Sequence, residues 1–400
     1  MQRKIYISVA ILLRKTSIAI RFVSGVALIF CIGFLFFDGC TIPFEPEVDK
    51  YENLLVVEGL LTNMPGSCKV KLSHTYAYGG RKYKTEPGAQ VKIIDDLGNE
   101  TILIEKESGQ YFPEDTNFAG IVGIKYKISI QTADGELYHS EFEELKQPVE
   151  IGDIYYSYVD KGNGLNGLQL YLDTYDPLEK SFYYLWEYKE TWEFWVPYVP
   201  RSVFLPEMKI CYKNAVSRRF LFESTKNYIN DKVIGFPIIF IDNTTNRLSV
   251  KYSILVTQYI MTENTYLFYK NLRNINENVG TLFDRTPITL VGNIRNTNNP
   301  EKPVLGNFQV SGASEKRIFI LASDLPPELV IPTEYEKCEA RLYDAKRDKI
   351  QIDSLIIEGW AIMDTLVEDL DPEDTLFGVV NSRSCFDCKT AGDINMPVFW

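Results

Sequence analysis

The segment KYKISIQ, residues 125–131, decides the fold class, because its side chains alternate strictly between apolar and polar. Tyr126, Ile128 and Ile130 would share one face of an extended chain, and the residues between them are polar. Alternation with a period of two is typical of a strand that buries one face. The segment therefore predicts a half-buried β-strand.

The same pattern recurs in the surrounding hundred residues. It is seen in CKVKLSH (68–74) and QVKII (90–94), which follow the apolar run NLLVVEGLLT (53–62). Asp134-Gly135 separates two such runs, and this pair favours a tight hairpin turn. We expect around seven short strands between residues 40 and 147, as in a β-sandwich of the immunoglobulin or fibronectin kind.

Residues 148–400 predict a second, larger domain that is also rich in strands. Gln147-Pro148 interrupts the alternation and marks the boundary. One helix is predicted near residues 262–279, with Thr262 as its cap and Gly280 as its stop. Its apolar residues recur at helical spacing: Phe268, Leu272, Ile275 and Val279. The predicted fold class is mainly β, a sandwich followed by a strand-rich domain with one clear helix.

The N-terminus has the composition of an export signal. Basic residues precede the apolar run FVSGVALIFCIGFLFF (22–37), and Asp38-Gly39-Cys40 follows it. This order predicts a signal peptide over residues 1–39 and a lipoprotein that is cleaved before Cys40 and acylated on it. The alternative is an uncleaved membrane anchor, but a span needs roughly 20 apolar residues, and this run is shorter.

Composition excludes some classes of partner. The formal net charge of the 400 residues is −12, and 45% of them are hydrophobic. An acidic surface disfavours binding to nucleic acid and to anionic lipid heads. The 25 tyrosines and 23 phenylalanines favour strands over helices.

The seven cysteines predict disulfides in an exported chain. Cys31 would leave with the signal, Cys40 would carry lipid, and Cys68 lies alone in the first domain. The other four could form two disulfides in any of three connectivities: Cys211, Cys338, Cys385 and Cys388. A zinc site or a redox-active Cys-x-x-Cys pair are the alternatives for these four cysteines.

Catalytic residues are hard to find in this sequence. The only two histidines, His74 and His139, fall in predicted strands of the first domain, so a Ser-His-Asp triad or a histidine metal site is disfavoured. No glycine-rich phosphate loop is present. We expect a protein that is not an enzyme and needs neither metal nor cofactor.

Two aromatic stretches are candidate contact surfaces. Tyr184, Trp186 and Tyr188 alternate as on one strand, and we expect them to be core. The candidates that follow them lie in a loop-like stretch with Pro197 and Pro200: Trp192, Trp195 and Tyr198. The second set lies in the loop 75–88: Tyr76, Tyr78 and Tyr83. Exposed rings of this kind could stack on sugars or anchor a protein partner.

The segment KYSILVTQYIMTENTYLFYKNL (251–272), with the later GTLFD, VGNI, PVLGNF and RIFI, resembles a family of Bacteroidota lipoproteins known as domain of unknown function 4249. The opening LVVEGLLT and the ending RSCFDCKTAGDINMPVFW are similar too. Asn307 departs from the pattern, which favours an aromatic residue there. The resemblance implies an outer-membrane lipoprotein, of a kind often encoded beside TonB-dependent transporters. Glu45, Glu47 and Asp49 after the cysteine suggest export to the cell face. We therefore expect a non-catalytic binding protein that assists a barrel protein such as a TonB-dependent transporter. A structural or adhesive surface protein is the alternative.

The resemblance to Bacteroidota proteins makes a short recurring motif, Asp-Ser/Thr-Leu, a candidate site of modification. It occurs three times in an acidic stretch, at Ser354, Thr365 and Thr375. Bacteroidota often glycosylate this pattern on the hydroxyl oxygen, so these three residues are candidate O-glycosylation sites.

Overall fold

The computed structural model shows a chain dominated by strands, which confirms the predicted fold class. Residues Glu52–Trp400 form one compact unit. The residues whose structure is described are 53–75, 84–198, 209–278, 290, 292–331, 338, 341–344, 347–358, 361–362, 376–380 and 383–400.

The first region contributes strands from each of the segments in which alternation predicted them. They are β1 (Leu55–Thr62), β2 (Lys69–His74), β3 (Lys84–Thr85), β4 (Gln90–Asp95), β5 (Glu100–Glu107), β6 (Gln110–Pro113), β7 (Lys125–Gln131), β8 (Leu137–Ser140) and β9 (Glu143–Glu144). Tyr126, Ile128 and Ile130 of β7 are buried, as their spacing predicts. The turn at Asp134-Gly135 joins β7 to β8, with Gly135 at a φ of 90° that glycine adopts without strain.

The second region begins with longer strands. They are β10 (Ile151–Asp160), β11 (Asn166–Tyr175), β12 (Tyr183–Trp195), β13 (Ile210–Val216), β14 (Leu221–Ser224), β15 (Lys232–Asp242), β16 (Lys251–Ile260), β17 (Ile294–Asn296) and β18 (Leu305–Leu321). A small sheet follows, in the order β19 (Arg341–Asp344), β21 (Leu376–Val380) and β20 (Ala361–Ile362).

One large sheet runs through both regions. Its main path is β13-β12-β16-β18-β1-β2-β6-β5-β4-β7-β8-β17. The pairing of β1 with β18 is parallel and joins Val57 to Gly306, whereas the other pairs along this path are antiparallel. At the far end the sheet returns to β18, where the Asn293 side chain hydrogen-bonds both the N–H and the C=O of Phe308. The sheet thus curls around the apolar side chains of the first region.

Two large cores lie on either side of the predicted boundary. The first core is built from residues 55–145 but also needs Ile294, Val304, Phe308 and Val310 from the second region. The second core lies between β12, β16 and β18 on one side and the three-stranded sheet β10-β11-β15 on the other. The boundary at Gln147-Pro148 therefore coincides with the change of core but not with a break in the sheet.

Helix α1 (Glu263–Asn278) is the helix that the sequence predicts near residues 262–279. Thr262 caps it, since its hydroxyl accepts a hydrogen bond from the Thr265 N–H at 3.3 Å. A second helix, α2 (Lys349–Ile357), was not predicted, because its apolar residues lack a clear helical period. Among the described residues, no helix is both long and apolar enough to cross a membrane.

Candidate functional site

A groove of about 490 Å³ lies between α1 and the large sheet. Its floor comes from β1, β12, β16 and β18, its roof from Phe268, Tyr269 and Leu272 of α1, and one wall from residues 217–220. We call this cavity the groove. Its volume is in the range of small-molecule sites, roughly 300–1,000 Å³.

Strand alternation explains why the groove exists. Val57 and Leu61 of β1 point into the first core, so Val56, Glu58 and Leu60 face the other way. Their register partners on β18 are Leu305, Asn307 and Gln309, which face the groove as well. Helix α1 packs over this face through a third, smaller cluster around Tyr183, Leu185 and Tyr259. One face of the parallel pair β1–β18 thus packs in the first core, and its other face lines the groove.

The polar side chains of the groove floor satisfy one another. Gln309 accepts a hydrogen bond from the Tyr269 hydroxyl at 2.9 Å. The Asn307 amide donates to the Thr265 hydroxyl at 3.2 Å. The Tyr259 hydroxyl donates to the Glu187 carboxylate at 3.3 Å. A ligand above this floor would meet apolar surface and polar groups that already have partners.

Burial keeps two groove tyrosines protonated, Tyr259 of the floor and Tyr269 of the roof. Desolvation, followed by the nearby Glu187 carboxylate, raises the pKa of Tyr259, and desolvation also raises the pKa of Tyr269. Both phenols are therefore neutral at physiological pH and serve as hydrogen-bond donors. Neither supplies the phenolate that a base or nucleophile would need.

Charged side chains line the rim of the groove. Five charged side chains line it: Glu58, Lys69, Glu187, Arg218 and Arg219. Glu58 is neutralised by Lys71, whose Nζ lies 3.1 Å from its carboxylate. The three rim cations have no ion-pair partner within the described part of the chain, so they outnumber the remaining carboxylate of Glu187. On a chain of net charge −12 this rim is a local positive patch.

A second cavity of about 510 Å³ continues the groove beneath residues 62–67. The two cavities share Leu60, Lys69, Glu187, Ser217 and Tyr259. The second is more polar, because Thr257 and Glu315 line it and hydrogen-bond each other at 2.9 Å. The rim cation Lys69 therefore lies where the apolar groove adjoins the more polar second cavity.

The prediction that Trp192 and Trp195 lie in a loop is wrong, because both residues belong to strand β12. Tyr184, Trp186 and Tyr188 are buried, as predicted, but β12 continues to Trp195 without a loop. Trp192 lies on the same face as these three and is also core, with 8% of its surface exposed. Its indole N–H donates to the Asn246 side chain at 3.2 Å. Trp192 is therefore not an exposed contact residue, because the alternation of β12 extends further than the sequence suggested.

Trp195, by contrast, is 44% exposed, on the opposite face of β12. Its indole and that of Trp400 donate to the same carboxylate, Glu193, at 2.6 and 3.1 Å. Phe319 and Phe399 lie near Trp400 with ring centroids 5.9 and 6.3 Å away. We call these four rings, Trp195, Phe319, Phe399 and Trp400, the C-terminal aromatic surface.

Tyr198 has a structural contact. Its hydroxyl donates to the carbonyl oxygen of Cys338 at 2.8 Å, and its N–H donates to that of Cys385 at 3.3 Å. Half-buried, it holds the disulfide-bonded segment against the end of β12. Tyr76, Tyr78 and Tyr83 lie outside the described residues.

The four paired cysteines confirm the predicted disulfides and select one of the three connectivities. Cys211 bonds to Cys388, and Cys338 bonds to Cys385. Cys385 and Cys388 are thus bonded to other cysteines, which rules out a Cys-x-x-Cys redox pair and a four-cysteine zinc site in this state. Cys68 is the free, buried cysteine.

The remaining predicted residues are spread over the chain. Ser354 is exposed on α2, whereas Cys40, Thr365 and Thr375 lie outside the described residues. His74 and His139 lie on β2 and β8, as predicted, and His74 hydrogen-bonds Glu86 at 2.6 Å. Within the described ranges no group of three or more histidine, cysteine, aspartate or glutamate side chains could hold a metal ion.

Sequence reasoning missed the groove. Its lining comes from segments that are far apart in the chain, such as those of Leu60 and Gln309, which are 249 positions apart (309 − 60), and no local pattern links them. The adjacent pair Arg218-Arg219 on an acidic chain is the one signal that could have drawn attention to it.

Comparison with known proteins places the chain in a family. A family model described as "Domain of unknown function (DUF4249)" matches residues 41–317, so the chain belongs to this family, as its motifs predict. The match does not include the C-terminal segment with Cys385 and Cys388. No curated protein matches the chain.

The comparison with solved structures adds little. One similar structure is titled "Biofilm associated protein - BSP domain", with 9% identity and a TM-score of 0.15. The alignment covers 66% of this chain and 58% of that one, so the chain spans less than two thirds of its length.

Proposed function

We propose that this protein is a non-catalytic binding protein of the outer membrane, tethered by lipid on Cys40. The observation that carries the binding role is the groove, a preformed apolar cavity with a charged rim and a floor of neutral, internally satisfied polar groups. Such a site can retain a ligand by apolar burial, and its two tyrosines are neutral hydrogen-bond donors rather than bases.

The tether is supported by the leader sequence and by the extent of the family. Residues 1–39 have the composition of a signal, and the family model begins at residue 41, directly after Cys40. A Cys40→Ala variant is expected to leave the membrane fraction or to be mislocalised. Retention of this variant in the membrane with an intact N-terminus would instead indicate an uncleaved anchor.

We further propose that the protein is an accessory subunit of an outer-membrane barrel complex, of the TonB-dependent transporter type. The test is to purify the tagged full chain from gently solubilised outer membranes and to identify co-purifying proteins by mass spectrometry. A barrel protein in near-stoichiometric amount is expected, and Cys40→Ala is the matched control that should lose it. Recovery of the chain without any barrel protein would refute the accessory role.

The C-terminal aromatic surface favours a second candidate, an adhesive surface protein. Trp195, Phe319 and Phe399 expose 44%, 41% and 41% of their surfaces, and exposed clusters of rings mark contact sites. A Trp195→Ala and Phe399→Ala double variant should then lose surface attachment while ligand uptake persists. Normal attachment by the folded double variant would exclude this alternative.

A further inference from the structure

We infer that the groove takes a small amphipathic anion, a molecule with an apolar body and one carboxylate, phosphate or sulfonate group. This inference rests on the proposed binding function and adds the class of ligand. Two observations carry it, namely the hydrogen bonds that Gln309, Asn307 and Tyr259 make within the groove lining and the excess of cations at its rim.

The lining of the groove favours a ligand with an apolar body. Leu185, Phe220, Phe268 and Leu272 give carbon surface on both sides of the cavity. Gln309, Asn307 and Tyr259 make the internal hydrogen bonds described above, so a polar ligand such as a sugar would find few free partners there. A ligand that leaves these bonds intact gains from apolar burial alone, at about 25 cal/mol per Å².

The cations at the rim favour a ligand that carries a negative charge. Arg218 and Arg219 project from the connection between β13 and β14, and Lys69 begins β2 across the groove. Glu58 is neutralised by Lys71, and Glu187 is left to offset only one of the three rim cations. An anionic group at the mouth would be attracted from both walls, and guanidinium groups suit carboxylate and phosphate by their paired donors.

The size of the cavity sets the scale of the ligand. A volume of about 490 Å³ suits one molecule of drug-like size rather than a folded partner. The second, more polar cavity adjoins the groove at Lys69, and its lining adds Lys189 and Glu315, so it leaves room for the water around a head group without adding net charge.

The test uses two fluorescent probes that share one apolar scaffold. 8-Anilinonaphthalene-1-sulfonate carries a sulfonate, and N-phenyl-1-naphthylamine lacks it. Both are titrated against the full chain in nanodiscs of zwitterionic lipid, with the signal of empty nanodiscs subtracted. We expect the anionic probe to bind at least fivefold more tightly than the neutral probe, and its affinity to fall as salt is raised.

Two variants and a charge-matched control locate the probes. Arg218→Gln with Arg219→Gln should weaken the anionic probe at least fivefold and change the neutral probe less than twofold. Lys106→Gln with Lys125→Gln removes the same charge from the other region and should change neither probe. Leu272→Trp fills the groove from the half-buried face of α1 and should block both probes, with circular dichroism confirming that the fold persists.

The outcomes separate this inference from the proposed function. Suppose that both probes bind with equal affinity, that Leu272→Trp blocks both, and that neither affinity changes in the double arginine variant. The groove then binds ligands, but the proposed preference for anions is wrong. If neither probe binds, or if Leu272→Trp blocks neither, the groove is not a ligand site and the proposed binding role falls with it.

Discussion

Glu190 places a carboxylate inside the second core, with only 3% of the residue exposed. Its Oε1 lies 3.1 Å from the Arg247 guanidinium and accepts a hydrogen bond from the Tyr252 hydroxyl at 2.9 Å. Desolvation raises the pKa of Glu190, and the attraction of Arg247 opposes this only in part. The charged form is therefore more costly in the folded protein than in the unfolded chain.

This raised pKa predicts a pH dependence of stability. The folded state holds the Glu190 proton more tightly than the unfolded chain does. The contribution of Glu190 to the free energy of unfolding is thus largest below the ordinary glutamate pKa and declines as pH rises through the raised value. Glu190→Gln does not titrate, so the stability of the wild type relative to this variant should fall over that range. Urea unfolding at several pH values measures this, and a constant difference would contradict it.

Cys68 gives a second prediction for a single side chain. Burial raises the pKa of its thiol to about 12, so at pH 8 its thiolate fraction is roughly a thousandfold below that of an exposed cysteine. We expect iodoacetamide to leave Cys68 unmodified in the folded protein and to label it after unfolding in guanidinium. Peptide mapping of the labelled chain reports this. Rapid labelling of the Cys68 peptide under native conditions would show that the first core opens.

At the scale of elements, α1 is the roof of the groove and depends on its cap. Thr262→Ala removes the hydroxyl that accepts from the Thr265 N–H and should lower the free energy of unfolding by about 1 kcal/mol. Thr262→Ser keeps the acceptor and is the matched control. Equal stability of the alanine and serine variants would mean that the cap contributes little.

The disulfides fasten the C-terminal segment to the second core. Cys388 bonds to Cys211 on β13, across 177 residues, and Asp393 exchanges backbone hydrogen bonds with Tyr212 beside it. Closing so long a loop restricts the unfolded chain, by about 5 kcal/mol in the chain-entropy model. Cys388→Ser should lower the free energy of unfolding by up to this amount. Non-reducing peptide mapping of the wild type should recover the two pairs, and any other pairing would contradict the structure.

At the scale of the whole molecule, the parallel pair β1–β18 holds the two regions together. Gly306 has a φ of 102°, and a Cβ there would overlap the carbonyl oxygen of Val57. Gly306→Ala should therefore cost more than about 3 kcal/mol, since it adds a backbone clash to the strain of a positive φ.

A matched control for this change is Gly98→Ala. Gly98 has a similar φ of 91°, but a Cβ there would meet nothing within 4 Å. Its cost should be limited to the strain of the conformation, about 1–2 kcal/mol. Thermal unfolding of both variants compares them, and equal losses would show that the contact with Val57 can relax.

The sequence by itself determined the elements that depend on local spacing. Period-two alternation located β2, β4 and β7 and assigned their buried faces, and the cap and apolar spacing after Thr262 located α1. Counting the cysteines of an exported chain, rather than any local spacing, named the four that pair and left Cys68 over. The strands and the helix follow from contacts between near neighbours, which the order of residues displays directly.

Only the tertiary structure decided what depends on distant partners. The pairing of Val57 with Gly306 completes the first core with strands from the second region, and the disulfide connectivity joins residues 177 and 47 positions apart. The groove arises because the strand faces left over by the first core are roofed by α1 and rimmed by Arg218 and Arg219. Such arrangements depend on strand register and packing between remote segments, and no local pattern in a single sequence encodes them.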